Sequence, residues 1–168
     1  MLLLSLAAAA SLFTAEPAAP RTPLLAMAAV PCTGTPTRHV SEMYLENARR
    51  FVTTGDLEAA RREYRIARML EADGGCLPEA TSNELATVLL AESRAKEAAI
   101  VMRELAADAA RENDIDMEAR ARVAAAWLVV QAGDRTAAKT DVRRLHEIAR
   151  DPRISAETRT LLRASLRR

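Results

Sequence analysis

Few side chains in this sequence are of the types that make or break bonds. There are two histidines, His39 and His146, and two cysteines, Cys32 and Cys76. His39 has Glu42 one helical turn behind it, but two donors fall short of a metal set, so no metal ligand is assigned and no cofactor is expected. Carboxylates such as Glu42 and Glu46 stand at helical spacing, where they make a charged outer face. No His-Glu-x-x-His, Gly-x-Ser-x-Gly or phosphate-cradling glycine loop occurs. Nothing assembles a nucleophile, a base and an orienting group, so no catalytic residue is assigned and the chain reads as a non-enzyme. A disulfide is the remaining covalent chemistry. In an oxidising compartment Cys32 and Cys76 could pair, contributing at most roughly 4 kcal/mol by closing the loop between them. Two unpaired thiols are the alternative.

Composition narrows the classes further. The chain has 168 residues, 49% hydrophobic and 28% charged, enough to bury the core of one domain. Its net charge of +1 and its 3% aromatic content argue against a dedicated nucleic-acid binder. That balance hides a gradient. Residues 38–134 carry 13 basic and 18 acidic side chains, whereas residues 135–168 carry 10 basic and 4 acidic. The basic end is a candidate surface for anionic lipid, cell-wall polymer or nucleic acid, with a solvated cap as the simpler reading.

Met1 to Ala15 is an apolar run that Glu16 and Pro17 stop short of the roughly 20 residues of a membrane-spanning helix. An export signal needs only such a short run followed by small residues, and candidate cleavage sites end at Ala10, Ala19 or Ala28. No Lys or Arg precedes the run, which departs from the usual pattern. A cleaved signal peptide over 1–19, and hence a periplasmic or secreted protein, is the expectation. An uncleaved membrane tether is the alternative. Pro17, Pro20, Pro23, Pro31 and Pro36 make residues 20–37 a Pro-rich linker. Pro31 before Cys32 removes the small-residue setting of a lipidation site.

From Arg38 onward strong helix formers run between a few breaks, with no alternating β-branched pattern, so the domain at 38–168 reads as all-α. The spacing predicts helices over 38–53, 57–72, 78–92, 95–112, 116–131, 135–150 and 156–167. Gly74 and Gly133 fall where a left-handed residue closes a helix, and Asp56, Asp134 and Ser155 where a side chain caps the next one. Pro78 suits a first turn. The short Gly55-Asp56 and Gly133-Asp134 turns force antiparallel neighbours. With Gly55, Ser93 and Gly133 in register, small residues recur at Ala48, Ala86 and Ala126 and at Ala60, Ala98 and Ala138. Large apolar residues recur at Phe51, Leu89 and Val129 and at Tyr64, Met102 and Val142; Ala67, Leu105 and Leu145 follow. Alanines let two helices approach closely, and the large residues fill space towards the next hairpin.

On these residues the chain resembles the tetratricopeptide-repeat family. Gly55-Asp56-Leu57-Glu58-Ala59-Ala60 with Tyr64 and Ala67 is similar to that family's turn and second helix, and Tyr44, Ala48 and Phe51 to its first. The third copy keeps Gly133-Asp134, Ala126, Ala138 and Val142 but has Arg122 where an aromatic is usual. The middle copy has Ser82 there and Ser93 at the turn. Ala72, Ala110 and Arg150 stand in place of the closing proline, and spacings of 38 and 40 residues exceed the family's 34.

The resemblance, over about Arg38 to Arg150, implies a right-handed α-α superhelix of about three hairpins. A last helix would cap it through Leu161, Leu162 and Leu166, with Arg159, Arg163 and Arg167 on its solvated face. It implies a non-catalytic adaptor or scaffold that binds a peptide or protein, not nucleic acid, on a concave face, and the expected export signal would put it in the bacterial cell envelope. That face would carry Leu45, Arg49, Val52, Asn83, Thr87, Leu90, Arg120, Val123, Trp127 and Val130. Arg49 and Asn83 would clamp a peptide backbone or carboxylate, with Thr87 and Arg120 beside them. Trp127, the only tryptophan, is either a binding anchor or a core residue wedged between hairpins. The alternative function is a cytoplasmic helical regulator whose basic C-terminal end contacts nucleic acid or acidic proteins.

Overall fold

The computed structural model describes residues 36–166. The expected signal peptide, almost all of the linker, and Cys32 lie outside the described residues. Seven helices follow in order: α1 (Pro36–Thr54), α2 (Leu57–Asp73), α3 (Glu79–Ala91), α4 (Ala95–Arg111), α5 (Ile115–Gln131), α6 (Lys139–Ile148) and α7 (Ala156–Leu166). No strand occurs among the described residues. Each helix coincides with one expected from the sequence, and only α6 differs by more than two residues. Residues 135–138 form turns instead, with the Ala137 N–H donating to the Asp134 carboxylate at 3.0 Å, and α6 begins after Ala138.

One closing device ends each of the first five helices. Gly55, Gly75, Ser93, Asn113 and Gly133 all have φ between 59° and 81°. In each case this residue's N–H returns to the carbonyl three residues back, and the next N–H to the carbonyl five residues before it. Gly133→Val130 at 3.0 Å and Asp134→Val129 at 2.9 Å are one such pair. This double return satisfies two of the orphan carbonyls at a helix end and turns the chain into the next helix. Gly74, expected to be left-handed, has φ −76°; Gly75 takes that role. The Asn113-Asp114 closure was missed, although Asp114 accepts the Met117 N–H at 2.9 Å as Asp56 accepts that of Ala59. Asparagine is the side chain that best tolerates left-handed backbone after glycine. Serine gains less, so Ser93→Gly is expected to stabilise the protein by about 1 kcal/mol in urea unfolding.

The packing is continuous along the chain. Ala48, Ala60, Ala98, Leu89 and Leu105 belong to a core shared by α1 to α5, and Ala119, Leu145, Ile148, Ile154 and Leu162 to a second one shared by α5, α6 and α7. Leu162 is fully covered and Leu161 and Leu166 half-buried, so α7 caps this end, lying more against α5 than against α6. Contact between successive helices is uneven. α4 lies against α5 as extensively as α1 against α2, and more than against α3. Both are 17 residues long, and they bury Ala98, Ala99, Ala106 and Ala109 on one side and Ala119, Ala121 and Ala125 on the other, so little bulk holds their axes apart. Phe51, expected to fill space as Leu89 and Val129 do, is 36% exposed. Among the described residues no helix precedes α1 to cover it.

Candidate functional site

The residues assigned to a concave face lie on α1, α3 and α5, which ion pairs tie together. The exposed Arg49 of α1 donates from Nε and Nη2 to Glu84 of α3 at 2.9 and 2.6 Å. Glu84 also accepts the Tyr64 hydroxyl at 2.8 Å. Burial pushes the Glu84 carboxyl upward, but the hydrogen bonds from Arg49 and Tyr64 outweigh it and hold the group below the usual carboxylate range. Arg120 of α5 approaches Glu79 of α3 at 3.8 Å, and burial raises the Glu79 carboxyl. Arg49 and Arg120 therefore link helices. The Thr87 hydroxyl donates to the Asn83 carbonyl at 2.9 Å, turned back on its own helix. Asn83 is half-buried. Trp127 is half-buried too, with part of its surface packed on the main core and part open.

Three residues stand out in register. Val52, Leu90 and Val130 each lie three positions before the left-handed turn residue, on α1, α3 and α5, and are 40%, 36% and 41% exposed. Their neighbours Leu89 and Val129 are buried. One such exposed aliphatic residue is ordinary on a protein surface, whereas the same exposure here recurs at one register position on three helices.

A buried charge network joins α4, α5 and α6, and sequence reasoning missed it. Arg103 of α4 donates to Asp141 of α6 at 2.9 and 2.7 Å and to the Ala137 carbonyl at 2.8 Å. Arg122 of α5 reaches Glu118 at 2.8 Å and Asp141 at 3.4 Å. Arg144 of α6 donates to both oxygens of Glu118 at 2.8 and 3.0 Å. Burial alone would raise the Glu118 carboxyl; Arg144 and Arg122 reverse that and lower it. The signal was present. Asp141 shares its helix face with Ala138, Leu145 and Ile148, and Glu118 its face with Ala121 and Ala125; a carboxylate on a core stripe demands a cation. The same network explains Arg122 at a position where the repeat family has an aromatic. At the equivalent place in the middle copy, Ser82 is buried and accepts from Arg68 at 3.1 Å.

The basic end resolves into a stripe. Arg135, Lys139, Arg143, His146 and Arg150 are exposed along an open groove of about 670 Å³ floored by Ala138 and Val142. Glu147 at its edge is tied to Arg144 at 3.0 Å. None of these five side chains forms an ion pair among the described residues.

Cys76 is disulfide-bonded and half-buried in the loop after α2. Among the described residues no three His, Cys, Asp or Glu side chains cluster to hold a metal ion, and no helix is long and apolar enough to cross a membrane. Comparison with protein-family models, with curated proteins and with solved structures finds no match, so the chain stands on its all-helical, sequentially packed architecture.

Proposed function

We propose that this protein is a non-catalytic interaction module, a right-handed superhelix of three tetratricopeptide-like hairpins that binds a peptide or protein on the face formed by α1, α3 and α5. The exposed row of Val52, Leu90 and Val130 carries the reading. Burying the exposed part of these three aliphatic side chains on a partner contributes about 2–3 kcal/mol, one share of the roughly 8 kcal/mol that micromolar recognition takes. The Arg49–Glu84 and Arg120–Glu79 ties support it by holding the three helices in place, which lowers the cost of organising the face on binding. The open part of Trp127 supplies an anchor on the same helix as Val130. The apolar N-terminal run and the disulfide at Cys76 support a setting in the cell envelope, outside the reducing cytoplasm.

A displayed library of random peptides, selected on the protein, tests the reading. Selection is expected to converge on sequences with aliphatic residues at fixed spacing. The triple variant Val52→Ser, Leu90→Ser, Val130→Ser should bind the selected peptides at least about tenfold more weakly at an unchanged thermal midpoint. Enriched peptides that bind the triple variant equally well would remove this face from the account.

A further inference from the structure

We propose that the basic stripe on α6 is a docking site for one acidic, amphipathic helix of a partner protein. The inference does not depend on the α1, α3, α5 face, because the stripe lies on the alternate helix of the array. The chain itself displays the complex.

Counted from the left-handed turn residues Gly55 and Gly133, Lys139, Arg143 and His146 of α6 stand at the positions of Arg61, Arg65 and Arg68 of α2. On α2 all three are satisfied by carboxylates at or beyond the end of α3. Arg61 meets Glu92 at 2.8 Å, Arg65 meets Glu97 at 3.4 Å, and Arg68 meets Glu104 at 2.8 Å and Asp108 at 3.5 Å. Three of those four carboxylates belong to α4, the helix that lies alongside. The next step repeats the rule: Arg103, the α4 counterpart of Arg65, pairs with Asp141 on α6 at 2.7 Å. Among the described residues no carboxylate does this for α6. Arg143, third in this arginine series, is exposed and has no ion-pair partner among them, with Lys139 and His146 beside it on the same face.

The partner's chemistry follows from α4. Its carboxylates at 97, 104 and 108 fall on one helical face, with Ile100 and Val101 between them. A helix of that pattern would set its acidic residues on Lys139, Arg143 and His146 and its apolar side chains on Ala138 and Val142. The small floor lets the two backbones approach. Nucleic acid fits less well: the groove holds no Phe, Tyr or Trp for a base to stack on, and its floor is apolar.

The test uses a fluorescent synthetic peptide of residues 95–111 carrying Lys96→Glu and Arg103→Glu, titrated with the full-length protein at low and high salt. Saturable binding is expected, weakening with salt. The Lys139→Gln, Arg143→Gln, His146→Gln variant should lose about tenfold or more in affinity while its unfolding midpoint stays put. The Val52→Ser, Leu90→Ser, Val130→Ser protein should bind the peptide normally, which separates this site from the other face. Failure of the wild-type protein to bind overturns the proposal. So does equal binding of a composition-matched peptide scrambled to destroy amphipathicity, which would mark a general polyanion surface. Tighter binding to phosphatidylserine vesicles, or a wild-type dimer that the glutamine variant abolishes, would assign the stripe to a membrane or to a second copy and likewise overturn it.

Discussion

Ala98→Leu is expected to destabilise the protein by about 3 kcal/mol, the upper end of what overpacking costs a close-packed interior. Ala60, Ala98 and Ala138 occupy one register position and are 0%, 0% and 5% exposed. At Ala98 the neighbouring buried residues Ala99, Met102 and Leu105 leave no outlet for three added carbons without parting α4 from its neighbours. Ala107→Leu, on the exposed side of the same helix, is the control and should change stability by less than about 0.5 kcal/mol. Urea unfolding with an unchanged denaturant slope distinguishes the two, since a changed slope would mean a different denatured or native state. If the two substitutions cost the same, the close approach of alanine-faced helices does not hold this fold together.

The second large effect belongs to Glu118. Its carboxylate is covered by side chains, yet those covering it, Arg122 and Arg144, reach solvent themselves, so the site is shielded without lying deep. Removing the charge leaves two guanidinium groups facing each other across an uncharged amide. Breaking a deeply buried pair costs 3–5 kcal/mol; with the arginines free to turn towards water, Glu118→Gln is expected to cost about 2 kcal/mol at neutral pH. The pH dependence checks the cause. A carboxyl held below its unfolded value contributes stability that is fully present above the unfolded pKa and is lost as pH falls through the folded one. The difference between wild type and Glu118→Gln should therefore be largest near neutrality and close as the pH drops below about 4. Glu79 runs the other way: burial raises it, so its protonation favours the fold as pH falls and offsets part of the wild-type acid loss. A gap between wild type and variant that does not change with pH would show that packing, not charge, holds α6 at this corner.

Much of the fold was legible because local chemistry decides it. Gly-Asp at 55–56 and 133–134 carries both the left-handed closure and the next cap in two adjacent residues, and strong helix formers fill the intervals. The register drawn through Ala60, Ala98 and Ala138 also held, since small residues at a helix crossing are a local necessity repeated three times. The candidate site was legible only in part. The spacing gives Val52, Leu90 and Val130 one register position, but not the carboxylates on α3 that Arg49 and Arg120 meet. A helical pattern tells which residues share a face of one helix; it does not tell which helix meets that face.

The amino-acid order alone determined the seven helices, the closures at Gly55 and Gly133 and the alanine positions, because each depends on residues within a turn or two of one another. Only the tertiary structure decided that α4 packs on α5 as closely as α1 on α2, and that Phe51 has no cover among the described residues. It also decided that Asp141 takes Arg103 from 38 positions away while Arg143 takes no partner. Ion pairing and close packing depend on distances in space between segments remote in the chain, and burial sets their strength; neither quantity is carried by spacing along a single helix.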